Sequence, residues 1–125
     1  EERITWASAG HPPAFTRAVD GTIDRLESTA LVLGACLGED FVVEEKTHPF
    51  QRGDTVLLYT DGATEARDAH GRMMSVRGIE SIIANGRPDE RGGWTATVLQ
   101  HLSQYRQGPI DDDTLLVEVY RPIEL

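Results

Sequence analysis

The run Thr55–Thr60, TVLLYT, constrains this chain more than any other segment. It is short, continuously apolar and rich in β-formers, which suits a strand buried on both faces. Asp61-Gly62 ends it abruptly. A second such run, Thr114–Tyr120 (TLLVEVY), reads as the last strand and follows Asp111-Asp112-Asp113 directly. If the two strands are antiparallel neighbours, the end of one lies beside the start of the other. Their carboxylates then converge at one rim of a sheet.

The rest of the chain reads as strands first and helices later. Ile4–Ala9 is strand-like until Gly10-His11-Pro12-Pro13 breaks it, because proline lacks a donor and holds an extended turn. Ala14–Val19 and Thr22–Leu26 flank Asp20-Gly21, a hairpin signal of the type I′ kind. Leu31–Gly38 reads as a buried connection, Phe41–Thr47 as β-prone, and Gln51–Asp54 as a turn. Ser75 is placed to cap a helix over Val76–Asn85, with Val76, Ile79, Ile82 and Ile83 on one face. A second helix is predicted near Trp94–Tyr105, stopped by Gly108-Pro109. The fold class is therefore α+β, and 125 residues allow one domain or part of one.

Composition narrows the function. The net charge of −9 disfavours non-specific nucleic-acid binding and adhesion to anionic membrane. No apolar run approaches the ~20 residues a membrane helix needs, and Glu1-Glu2-Arg3 does not resemble a signal peptide. A single cysteine, Cys36, excludes an internal disulfide and a cysteine-rich zinc site. Its apolar surroundings predict a buried thiol, which fits a cytoplasmic protein.

Close carboxylates repel unless a proton or a cation intervenes. Hard divalent ions such as Mg²⁺ and Mn²⁺ prefer oxygen ligands, so Asp61 and Asp111–Asp113 are candidate metal ligands, and Gly62 leaves room for close approach. The plain alternative is an ordinary Asp-Gly turn and a solvated aspartate loop. His11 is a site-rim or turn residue. His48, His70 and His101 form no HExxH pair. No serine lies in a nucleophile elbow, and no GxxxxGK loop is present.

Three ordered motifs carry a resemblance: Ala9-Gly10-His11-Pro12-Pro13, the run from Leu57 to Ala66 (LLYTDGATEA), and the run from Asp111 to Val117 (DDDTLLV). Together they resemble the sporulation stage II E type of bacterial PP2C-like (PPM) metal-dependent serine/threonine phosphatases, over about Ile4–Tyr120. The resemblance implies a sandwich of two mainly antiparallel sheets flanked by helices. It implies two Mn²⁺ or Mg²⁺ ions in the complete domain, with a bridging water attacking phosphoserine or phosphothreonine directly. Asp61 matches the metal aspartate of the Asp-Gly segment. Counting back from Thr114 gives Asp111 as the second, with Asp112 beside it; Asp113 departs from the commoner Asp-Asp-hydrophobic-Thr pattern, so Asp111 and Asp112 are both carried as metal ligands. His11 is carried as a substrate-binding residue.

The family has an earlier half with another metal-binding Asp-Gly segment, which these residues do not include. The chain is therefore expected to form the C-terminal part of a single phosphatase domain, over 1–125, with exposed apolar surface that invites homodimerisation. Alone it is expected to hold at most one weakly bound ion. The resemblance implies a phosphorylated regulatory protein as substrate, often an anti-sigma factor antagonist in partner-switching signalling, and upstream sensor domains as partners. The competing expectation is a truncated or degenerate phosphatase-like interaction module without catalysis.

Overall fold

A computed structural model describes residues 2–109 and 112–124. The strands are β1 (Arg3–Trp6), β2 (Ala14–Arg17), β3 (Ile23–Leu26), β4 (Lys46–Pro49), β5 (Thr55–Tyr59) and β6 (Leu116–Tyr120). The helices are α1 (Asp61–Thr64), α2 (Ser75–Asn85) and α3 (Thr95–Tyr105), between β5 and β6. One antiparallel sheet has the order β3-β2-β5-β6, and β1 pairs with β4 in a second. This is the expected α+β arrangement.

Alternation along the strands splits the larger sheet into two faces. On the helix side, Leu57 lies opposite Phe15 and Glu118, and Tyr59 opposite Leu116. Phe15, Leu57 and Tyr59 pack with Ile79, Ile82 and Ile83 of α2 and Val98 and Leu102 of α3. The 3.6-residue spacing of these helix positions is what turns them together onto the sheet. Each such side chain contributes about 1.5–3 kcal/mol by leaving water.

The opposite face carries Val56, Leu58, Val117 and Val119, and borders a cleft of ≈ 490 Å³ with Ile4 and Trp6 of β1 on its other side. Val56 is buried, but Leu58 is 39% exposed and Val119 48%. Thr55–Thr60 is thus buried on one face and half-open on the other, where burial on both was expected. Polar links anchor the small sheet to the large one. Trp6 Nε1 donates to the Glu27 carbonyl at 3.0 Å, and His48 Nε2 meets Asp24 at 3.0 Å. Arg121 donates to the Phe50 carbonyl at 2.8 Å and pairs with Glu2.

Several local expectations are corrected. The β2–β3 hairpin forms, but only Gly21 of its turn is left-handed, at φ 92°, so the loop is not type I′. The Ala18 and Thr22 backbones close a wider loop instead, and Asp20 accepts the Thr22 N–H at 2.9 Å. Leu31–Gly38 is not buried: Leu31, Val32, Leu33 and Leu37 stand in solvent, and Cys36 is only half-buried. Phe41–Thr47 yields a strand only at its end, since β4 begins at Lys46, opposite Trp6. Ser75 does not cap α2; it sits at φ 64°, and no side-chain hydrogen bond caps that end.

Candidate metal centre

β5 and β6 run antiparallel, with Tyr59 opposite Leu116 as the last ladder pair. The residues that follow β5 and those that precede β6 therefore meet at one rim, as the sequence suggested. Thr60 stitches them together. Its backbone N–H donates to the Leu115 carbonyl at 3.1 Å, its Oγ1 donates to the Asp113 carbonyl at 3.0 Å, and the Leu115 N–H returns to Oγ1 at 3.0 Å.

Gly62 explains why the second residue of the Asp-Gly pair has no side chain. A Cβ there would overlap the Asp113 carbonyl group, with Thr114 Oγ1 at 3.0 Å. The requirement is close approach rather than special dihedrals, because Gly62 is not among the left-handed residues. The backbone carrying Asp61 is thus pressed against the backbone carrying Asp112 and Asp113.

Asp61 opens α1 and is exposed. Among the described residues its carboxylate takes no hydrogen bond or ion pair. Asp112 is also exposed, and its Oδ1 accepts the Asp113 N–H at 2.8 Å. Asp111 lies outside the described residues. Asp61 borders a cleft of ≈ 370 Å³ with His11, Gly10 and Thr60, whereas Asp112 borders one of ≈ 250 Å³ with Gly62, Glu65 and Arg106. The two carboxylates thus border different clefts at the rim. Among the described residues no group of three or more His, Cys, Asp or Glu side chains forms a closed metal cluster. The donor set fits a hard divalent ion in kind, with carboxylate oxygens open to solvent.

His11 is brought to the same rim as Asp61. It is exposed, its Nδ1 lies 2.8 Å from the Pro12 carbonyl, and its ring centre is 6.5 Å from that of Tyr59. Tyr59 holds this turn in place by donating its hydroxyl to the Pro13 carbonyl at 2.6 Å. Burial is the main reason the Tyr59 phenol is pushed up to about 12. Gly10 stands at φ 75°, and a Cβ there would overlap Val32. Its N–H donates to Ser28 Oγ at 2.7 Å, so the exposed loop after β3 is tied to the site turn.

Sequence reasoning missed four contributors. Thr60 and Thr114 sat inside motifs whose aspartates drew attention. Tyr59 carried a signal, since a hydroxyl within a buried apolar strand needs a partner. Glu118 carried one too, as a lone charge in TLLVEVY. It receives the Trp94 N–H at 2.6 Å, at the start of α3.

The family model for stage II sporulation protein E (SpoIIE) matches residues 1–122. The chain belongs to the SpoIIE family. Among curated proteins it is similar to the phosphoserine phosphatase RsbU of Bacillus subtilis (strain 168), at 26% identity over 98% of this chain and 36% of that protein. It thus spans about a third of that relative. Among solved structures, the SiaA PP2C domain of Pseudomonas aeruginosa matches with a TM-score of 0.74, at 18% identity over 96% of this chain and 46% of that one. The Mn-presoaked SpoIIE phosphatase domain of Bacillus subtilis matches at 0.66, with 18% identity over 98% and 52%. The RsbU and RsbW domains of Rv1364c from Mycobacterium tuberculosis match at 0.62, with 29% identity over 96% and 34%. These likenesses establish the PP2C fold of this SpoIIE-family chain. No helix among its described residues is long and apolar enough to cross a membrane.

Proposed function

We propose that residues 1–125 form the C-terminal part of a single PP2C-like phosphatase domain, and that Asp61 with Asp111 and Asp112 holds Mn²⁺ or Mg²⁺. The observation that carries this is the seating of Gly62 against the Asp113 carbonyl, which joins two acidic motifs at one sheet rim. Such oxygen-rich rims suit small hard cations. A solved structure of RsbX is described as a complex with magnesium, and one SpoIIE domain as Mn presoaked, which supports this choice of ion. A cation bound there supplies Lewis-acid polarisation of a phosphoryl oxygen and a water acidic enough to act as nucleophile.

The chain's own residues do the holding and orienting. Asp61 and the aspartates before β6 supply the negative field. Thr60 and Gly62 fix the spacing of their backbones. His11, on the turn anchored by Tyr59, faces the cleft beside Asp61 and orients the phosphorylated segment. The substrate in this reading is phosphoserine or phosphothreonine of a regulatory protein, an anti-sigma factor antagonist in a cytoplasmic partner-switching circuit. Sensor domains upstream would regulate the activity, and a homodimer would cover the exposed apolar face of the larger sheet. The RsbU likeness supports the reaction class.

The test is phosphate release from a phosphoserine peptide with Mn²⁺, comparing this chain alone with a chain that also supplies the earlier Asp-Gly half of a family member. Turnover is expected from the longer chain and little or none from this one. Asp61→Asn should abolish it. A longer chain that binds the phosphoprotein without turning it over would favour the interaction-module reading.

A further inference from the structure

We propose that Arg106 is the positioning residue that locks the Asp61-Gly62 segment to the Asp112–Thr114 segment and thereby sets the cation affinity of the rim, an inference that rests on the metal reading above. Arg106 follows the last residue of α3, and its own N–H donates to the Leu102 carbonyl at 2.9 Å, so its backbone is fixed by the helix. From there its half-buried guanidinium reaches the rim. One nitrogen, Nη2, donates to the Gly62 carbonyl at 3.1 Å and to Thr114 Oγ1 at 3.1 Å. It also borders the cleft that contains Asp112 and Glu65.

The β5–β6 ladder stops at Tyr59–Leu116, short of the aspartates. Beyond it, one further backbone bond joins the Thr60 N–H to the Leu115 carbonyl, and side chains add the remaining links between the two segments. Thr60 does so at the Asp113 carbonyl, and Arg106 does so at Gly62 and Thr114. The two contacts flank Asp61, because Thr60 precedes it and Gly62 follows it, and on the facing segment they hold the adjacent residues Asp113 and Thr114, just after Asp112. A guanidinium suits this task, since its donors are planar and fixed while a lysine ammonium is a rotatable point charge. Groups that orient metal ligands without touching the ion typically matter by roughly 10–100-fold in affinity.

The experiment uses the 125-residue chain with Arg106→Met, Arg106→Lys, Thr114→Val and Thr114→Ser. Two quantities are read: amide hydrogen exchange without metal, and Mn²⁺ affinity by paramagnetic relaxation of water. Arg106→Met is expected to speed exchange at Gly62–Glu65 and Leu115, leaving β1 and β4 unchanged, and to weaken Mn²⁺ by roughly 10–100-fold. Thr114→Val should lose part of this affinity and Thr114→Ser, which keeps the acceptor, should restore it. The Arg106→Met, Thr114→Val double variant should be no weaker than Arg106→Met alone, since the Arg106–Thr114 contact that Thr114→Val removes is already lost in Arg106→Met. Wild-type Mn²⁺ affinity in Arg106→Met, or exchange that rises uniformly over the chain, would overturn the proposal. If Arg106→Met does not fold, Arg106→Lys and Thr114→Val carry the same comparison. If the wild-type chain takes up no Mn²⁺, the metal reading fails and the exchange result alone decides the role of Arg106: a local rise supports the lock, and no change refutes it.

Discussion

Replacing Gly62 by alanine separates two physical arguments by sign. Gly62 lies within α1 without a left-handed φ. Helix propensity alone favours alanine there by about 0.8–1.0 kcal/mol. The packing argues the other way. The new Cβ would overlap the Asp113 carbonyl, and that backbone is held by the Thr60 hydroxyl at 3.0 Å. It cannot swing aside as a flexible side chain would. Because the overlapped atoms are held backbone, the cost falls in the upper part of the usual range for overpacking, at about 2–3 kcal/mol, so the net loss is roughly 1–2 kcal/mol once propensity is set against it. For a domain of this size that is a drop of roughly 4–8 °C in melting temperature. Urea unfolding followed by circular dichroism measures the free energy, and a thermal melt checks it. A Gly62→Ala chain as stable as wild type, or more so, would refute the claim that the two motifs are in backbone contact.

Glu118→Ala should cost about 1 kcal/mol in urea unfolding, because the Trp94 N–H at the start of α3 loses its carboxylate acceptor. Stability should also fall in alkali. The Tyr59 phenol is pushed up to about 12 in the folded state while an unfolded tyrosine titrates near its model value of 10.0. The folded form therefore keeps its proton longer, so this contribution is complete below pH ~10 and is lost as pH rises towards ~12. A melt series across that range should show the decline, and Tyr59→Phe should flatten it. Cys36→Ser should change stability by no more than ~0.5 kcal/mol, since the thiol is half-buried and no phosphoryl transfer step calls for it.

The elements that were legible in the sequence are those whose signal is local. The α2 stripe Ile79, Ile82, Ile83 and the α3 pair Val98 and Leu102 fall where a 3.6-residue period put them. The TVLLYT and TLLVEVY runs became neighbouring strands, which brought Asp61 and Asp112 to one rim. The failures arise where packing from elsewhere decides. Leu31–Gly38 looks like core by composition, yet Leu31, Val32, Leu33 and Leu37 stand in solvent. Leu58 belongs to an apolar run, but the sheet of β1 and β4 leaves it partly open. Ser75 has the right residue type for a cap and the wrong backbone angle. Arg106 had no sequence signal, because its partners Gly62 and Thr114 come together only when α3, β5 and β6 have packed.

The central claim is that Asp61 and the aspartates before β6 form a cation site. Its most direct test is the melting temperature of the chain titrated with Mn²⁺, beside Asp61→Asn. An ion that binds only the folded form stabilises it by about 2.7 kcal/mol at a hundredfold excess over its dissociation constant. The wild type is expected to show a saturable rise at millimolar Mn²⁺, and Asp61→Asn to lose most of it. A melting temperature that ignores Mn²⁺, or that rises equally in both proteins, would contradict it.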